Sequence, residues 1–195
     1  MLNISNLSFS YDGKISVLND LNMELKNGEL LAVMGPSGCG KSTLLSLIVG
    51  LLKPSGGSIS SDYGRISFVF QEPRLFPWMT VEQNLRAVLS DKCEYERIPE
   101  ILSAVGLSGS ERLYPGELSG GMKIRVSLAR ALLYGGDLFL LDEPFASLNE
   151  ELREELCLQL RAHFKENGIS AILVTHQKED AERFADRLLM LPAQN

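Results

Sequence analysis

Nine consecutive residues, GPSGCGKST at 35–43, have the types and spacing of a loop that wraps phosphate. Gly35, Pro36, Ser37, Gly38, Cys39 and Gly40 are small or turn-forming, so backbone N–H groups can close around an anion. Lys41 adds an ammonium that reaches β- and γ-phosphate oxygens. Ser42 brings a hydroxyl suited to Mg²⁺, and Thr43 a further donor near an α-phosphate. The context fits, because an apolar strand-like run precedes the loop and a helix-like run follows it. A second stretch, LFLLDE at 138–143, is an apolar strand that ends in two carboxylates. Such acids emerge at a sheet's C-terminal edge, where α/β folds bind ligands. There Asp142 can hold Mg²⁺ through water, and Glu143 can polarise an attacking water.

Three further features gain meaning only beside these. Gln71 follows ISFVF and His176 follows AILVT, so both sit where a strand ends. Gln71 is placed to meet Mg²⁺ or the attacking water, and His176 to meet the γ-phosphate. Taken alone, each reads more readily as an ordinary polar residue at a strand end. Ser119, Gly120 and Gly121, within LSGGM at 118–122, head the helix-like run KIRVSLARALLY. They are either a simple helix cap or a second anion site, since first-turn N–H groups lack partners and the helix dipole is positive there.

These residues act together only if several strands end at one edge. Leu2, Ile4, Leu7 and Phe9, then Leu21, Met23 and Leu25, alternate with polar residues as half-buried strands do. LLAVM, LFLLDE and AILVT are continuous apolar runs, the pattern of strands buried on both faces of a parallel sheet. Shorter strands are expected at 58–60, 65–70 and 187–191, and helices at 41–51, 119–134, 150–166 and 177–185. In 150–166, Leu152, Leu156 and Leu160 share one face, with acids early and bases late, as the helix dipole favours. From Glu72 to Pro115 the character changes. Helical patterns near 81–89 and 95–105 are broken by Pro73, Pro77, Pro99 and GLSGSE. The expected fold class is α/β, one domain over 1–195. Residues 1–71 and 116–195 form a core with a mostly parallel sheet, and 72–115 a helical sub-lobe.

Composition narrows the function. A net charge of −6 lacks the basic balance of a nucleic-acid binder, so no nucleic-acid partner is expected. The longest apolar run, LLSLIVGLL at 44–52, is about half the roughly 18–20 residues needed to cross a bilayer. The opening residues have no basic segment followed by an apolar one, so they do not read as an export signal. Cys39, Cys93 and Cys157, odd in number and widely spaced, then read as reduced cytosolic thiols without metal-site spacing.

As a set, and in their order, these motifs resemble those of the ATP-binding cassette (ABC) ATPase family. The resemblance covers nearly the whole chain. Lys41 lies in the Walker A match, Gln71 in the Q-loop and LSGGM in the signature. LFLLDE matches Walker B and His176 the switch histidine. The resemblance implies a RecA-like P-loop NTPase core with an N-terminal antiparallel β subdomain. It implies ATP and Mg²⁺ as cofactors, with Ser42, Gln71 and Asp142 near the metal. Lys41, Gln71, Glu143 and His176 would serve hydrolysis. Tyr11, 24 residues before Gly35, would stack on adenine. Two cassettes would pair head to tail as an isologous homodimer. Ser119, Gly120 and Gly121 of one chain would then close on the nucleotide gripped by Lys41 of the other.

The resemblance further implies a transporter motor at the inner face of the cell membrane, with permease subunits supplying the membrane span. The permease would dock on the stretch after Gln71, where Leu75, Phe76, Trp78 and Met79 form an apolar cluster. EPRLFPW at 72–78 is similar to the matching stretch of nitrate, sulfonate and taurine importers, which adds a solute-binding protein as a partner. The chain's short run past its last strand reads as lacking the C-terminal regulatory domain some cassettes carry. Two positions depart from the family pattern. Met122 stands where glutamine is commonest. ASLNE at 146–150 replaces S-A-L-D, so Asn149 keeps hydrogen bonding without the charge. The alternative is a soluble non-transport cassette of DNA repair or translation, or an ATP-dependent regulatory scaffold. The repair and translation branches usually carry coiled-coil insertions or tandem cassettes, and this chain has neither.

Overall fold

The computed structural model describes residues 1–193; the last two residues of the expected domain lie outside the described residues. Strands β1 (Leu2–Ser10), β2 (Ser16–Leu25) and β4 (Gly56–Ser61) form an antiparallel sheet in the order β2-β1-β4. The core sheet has five strands: β3 (Leu30–Met34), β5 (Ile66–Val69), β6 (Leu138–Asp142), β7 (Ser170–Val174) and β8 (Arg187–Met190). Their order is β5-β6-β7-β3-β8, and every neighbouring pair is parallel. The expected α/β class, with a parallel core and an antiparallel N-terminal part, is what the chain forms.

The apolar runs explain the layers. Alternate side chains of a strand face opposite sides of the sheet. Leu30, Phe139, Leu141, Ala171 and Leu173 enter one core, and Leu31, Val33, Leu138, Leu140, Ile172 and Val174 enter another. Helix α1 (Lys41–Ile48) and the antiparallel sheet cover the second face. The first face is covered by α4 (Gly120–Tyr134), α5 (Glu150–Glu166) and α6 (Lys178–Phe184). Two short helices, α2 (Val81–Arg86) and α3 (Ile98–Ala104), pack on α4 and add Val81, Leu85, Ile98 and Leu102 to that core. Phe164 sits between Phe139 and Phe184 at centroid distances of 4.7 and 6.1 Å. Each such fully buried ring contributes about 1.5–3 kcal/mol.

Local departures from the expected elements have local causes. Leu2, Ile4, Leu7 and Phe9 are all buried, although two residues separate Ile4 from Leu7. A register shift lies between them, and Asn6 there has φ +51°. The extra residue is a β-bulge that returns Leu7 and Phe9 to the buried face. The expected helix at 95–105 is a 3₁₀ turn at Lys92–Arg97 followed by α3. Pro99 lies in the first turn of α3, where its missing N–H costs nothing. Helix α1 stops at Ile48 rather than 51, and Gly50 at φ +80° turns the chain away.

Asp186 fastens three elements. Its carboxylate accepts from the Leu30 amide at 2.9 Å and from Arg161 at 3.0 Å, and it also pairs with Lys165. Burial acts to raise this carboxyl, but Lys165, the Leu30 amide and Arg161 together hold it below the usual carboxylate range. A folded-state pKa below the unfolded one gives stability that is present above the unfolded value and lost as pH falls through the folded value. Asp186→Asn is therefore expected to cost about 1 kcal/mol at neutral pH. The difference from wild type should close as thermal melts are taken to acid. A gap that persists unchanged in acid would refute this account.

Candidate functional site

Because β3, β7, β6 and β5 are adjacent and parallel, their C-terminal ends open at one edge. β3 runs into the 35–40 loop, and β5 is followed by Gln71. β6 ends at Asp142, and β7 is followed by Thr175 and His176. The loop needs glycine at Gly40, which has φ +98°. A Cβ there would lie 2.9 Å from Leu18 Cδ2 and 3.0 Å from the Val17 carbonyl. Gly40 caps α1, so the loop leads straight into the helix's unpaired first-turn N–H groups. Lys41 is 8% exposed and donates to the Gly35 and Pro36 carbonyls at 2.8 and 2.9 Å. These residues border a groove of about 300 Å³. It is lined by Tyr11, Val17, Ser37, Gly38, Gly40, Lys41, Ser42, Thr43, Gln71 and Glu143.

The two acids at the end of β6 have different surroundings. Asp142 is buried, and among the described residues its Oδ1 has no hydrogen-bond partner. Burial pushes its carboxyl above the usual range, against the Ser42 hydroxyl, and Glu143 pushes the same way. An unmet buried oxygen costs about 1–3 kcal/mol, so this place suits an arriving cation. Glu143 has φ +49°, a conformation that costs a non-glycine residue about 1–3 kcal/mol. Its N–H donates to the Val174 carbonyl at 2.9 Å, which holds the turn in place. Its Oε2 lies 3.1 Å from His176 Nδ1, so the histidine touches the acid across the strand ends.

Other expected site residues are placed differently. Gly35 and Pro36 sit beneath the Lys41 ammonium, and Cys39 is turned inward with its sulfur 4.0 Å from Lys41 Nζ. Tyr11 lines the groove, and its hydroxyl meets Thr43 Oγ1 at 3.1 Å. Ser119, Gly120 and Gly121 do not line it. Ser119 caps α4 by accepting from the Met122 amide at 3.2 Å. An added Cβ at Gly121 would lie 2.8 Å from the Ser147 carbonyl, so the helix start abuts the loop that follows Glu143. Asn149 caps α5 through the Leu152 amide at 3.3 Å, a role aspartate fills equally.

Sequence reasoning missed two supports of the segment after Gln71. Asn84 is fully buried and accepts from the Phe76 amide at 2.8 Å. It also donates to the carbonyls of Phe76, Met79 and Thr80. A signal existed, since Asn84 shares the face of Val81 and Leu85 on α2. Arg130 on α4 donates to the carbonyls of Pro73 and Arg74, each at 3.1 Å. No spacing in the sequence announces contacts with backbone so distant.

Known proteins resemble this chain over most of its length. The family model described as "ABC transporter" matches residues 18–146. The aliphatic sulfonates import ATP-binding protein SsuB of Bacillus licheniformis is 46% identical over 92% of this chain and 74% of that protein. SsuB 2 of Pseudomonas syringae pv. tomato is 43% identical over 90% of this chain and 76% of its own length. Among solved structures, the dimeric ABC transporter cassette MJ0796 superposes with a TM-score of 0.92 at 30% identity. It covers 98% of this chain and 94% of its own. The same cassette in a post-hydrolysis state bound to ADP and Pi gives 0.90 at 28% identity, covering 100% and 97%. The chain thus belongs to the ABC transporter family and is the cassette that binds and hydrolyses ATP for such a transporter.

Proposed function

We propose that this cassette works as a pair at the inner face of the cell membrane and drives import of aliphatic sulfonates through permease subunits. The observation that carries the paired reading is the split of its anion-binding parts. The groove gathers Lys41, Ser42, Gln71 and Glu143, while Ser119 heads α4 outside it. A second copy supplies the missing wall, and the dimeric cassettes among the similar structures support that assembly. The cargo and the direction of transport rest on the names of the relatives.

Within the pair, Tyr11 stacks on adenine, and its bond to Thr43 gives way to the nucleotide. Ser37, Gly38 and Gly40 turn their backbone toward the phosphates. Lys41 leaves the carbonyls of Gly35 and Pro36 for phosphate oxygens, a charge-assisted exchange. The Ser42 hydroxyl, the Gln71 amide and the unmet Asp142 oxygen would hold Mg²⁺, which supplies neutralisation of phosphate charge when bound. Glu143 accepts the proton of the attacking water, and His176 fixes the acid's orientation through their contact. Ser119, Gly120 and Gly121 of the second chain present α4's first-turn N–H groups to the γ-phosphate.

The permease surface lies on the segment after Gln71. Trp78 is 69% exposed and Phe76 39%, with ring centroids 5.7 Å apart, while Asn84 locks the backbone beneath them. Paired exposed aromatics on a fixed loop suit a protein interface. Residues 72–115 form the sub-lobe that carries this surface on α4. Among the described residues, no helix is long and apolar enough to cross a membrane, so the span belongs to the permease in this reading.

Ser119→Arg tests the pairing. It is expected to leave ATP binding intact and to reduce turnover at least about 100-fold, as loss of a transition-state anion site does. Uptake of labelled aliphatic sulfonate by cells carrying the variant should stop. Loss of binding would place Ser119 at the chain's own nucleotide. Normal turnover with continued uptake would remove the pairing altogether.

A further inference from the structure

We propose that Arg153 is a positioning residue that couples the two nucleotide sites of the paired cassette. This rests on the two-chain reading above. Arg153 lies in the first turn of α5, close behind its Asn149 cap. One guanidinium nitrogen donates to the Leu148 carbonyl at 3.2 Å, and another to Gln177 Oε1 at 2.5 Å. The single side chain therefore ties the loop after Glu143 to the turn after His176.

Each end of this tie leads to a different nucleotide. Gln177 directly follows His176, which touches Glu143 in the chain's own groove. Leu148 and Ser147 are the residues an added Cβ on Gly121 would strike, at 3.3 and 2.8 Å. They form the surface against which the signature end of α4 rests. That end serves the other chain's ATP. A shift of the signature on closure is thus passed to Leu148, across the guanidinium, and on to the turn that holds His176.

A stabilising role alone does not explain the residue. The N-terminal turn is the unfavourable end of a helix for a cation. Among the described residues Arg153 Nε is buried without a hydrogen-bond partner, and so is Oδ1 of the neighbouring Asp180, itself 3% exposed. The arginine's charge also offsets that of the buried Asp180, but a lysine would do the same. What arginine adds is a planar fork that grips two separate loops in one geometry.

The test uses the purified full chain. Wild type should hydrolyse ATP with a Hill coefficient above 1, the mark of coupled sites. Arg153→Ala should bind ATP within about threefold of wild type and lose about 10- to 100-fold in kcat, the cost of a displaced reacting geometry. Its Hill coefficient should fall toward 1. Arg153→Lys keeps the charge but not the fork, and should recover only part of kcat. A purely structural Arg153 would lower the melting temperature and leave the Hill coefficient alone, which overturns the proposal. If Arg153→Ala does not fold, Gln177→Ala severs the second anchor only, and an unchanged Hill coefficient there overturns it equally. A non-cooperative wild type whose Ser119→Arg form turns over normally removes the two-chain reading and this proposal together. A cooperative wild type, an inactive Ser119→Arg and an unchanged Arg153→Ala remove this proposal alone.

Discussion

A Glu143→Gln cassette is expected to bind ATP with near-native affinity and to hydrolyse it about 10²- to 10⁴-fold more slowly, the range a general base contributes. The substitution isolates chemistry from shape. Glutamine matches glutamate in size and accepts the same turn at φ +49°. Its amide oxygen can still meet His176 where the Oε2 contact now lies at 3.1 Å. What it cannot do is take a proton from water. Binding and closure then proceed while turnover stalls, so paired cassettes should accumulate. Gel filtration with ATP and Mg²⁺ should show the dimer, and the same run with ADP should not. Normal turnover by this variant would put the base elsewhere on the strand edge.

Lys41→Ala should weaken ATP binding by on the order of 10²-fold, since a charged hydrogen bond is worth about 1.5–3 kcal/mol and each 1.4 kcal/mol is tenfold. The ammonium's bonds to phosphate oxygens are lost, and with them the positive charge that now sits 2.8 and 2.9 Å from the Gly35 and Pro36 carbonyls at the mouth of the loop. Titration calorimetry reads the affinity directly, and a native value would overturn the assignment of the 35–43 loop.

The parts of this site that could be read from sequence are those whose chemistry is contiguous. GPSGCGKST declares its loop because a whole run of neighbouring residues must be right at once. LFLLDE declares a strand edge because four apolar side chains precede two acids. Gln71 and His176 became legible only in company. Other features depend on pairings no local pattern contains. The alternation in β1 shows a slip in parity between Ile4 and Leu7, but only the pairing with β2 places the bulge at Asn6. The left-handed turn at Glu143 goes with its bond to Val174, on a strand far along the chain. Arg130 and Arg153 act on carbonyls and amides of other loops. An arginine on a helix carries no mark of which backbone it will meet.

The partition of the interior by the core sheet has a consequence for how motion is shared. The two apolar cores have no side chain in common. Each face is therefore expected to open locally as its own unit, with its own exchange protection. Lys41 opens α1 on one face, whereas Ser119 caps α4 on the other. Nucleotide seated in a lone cassette would quiet the α1 face directly, and the α4 face only through the sheet between them. If the cassette pairs as proposed, the second chain would quiet the α4 face as well, so exchange left in α4 would gauge whether the cassette is alone.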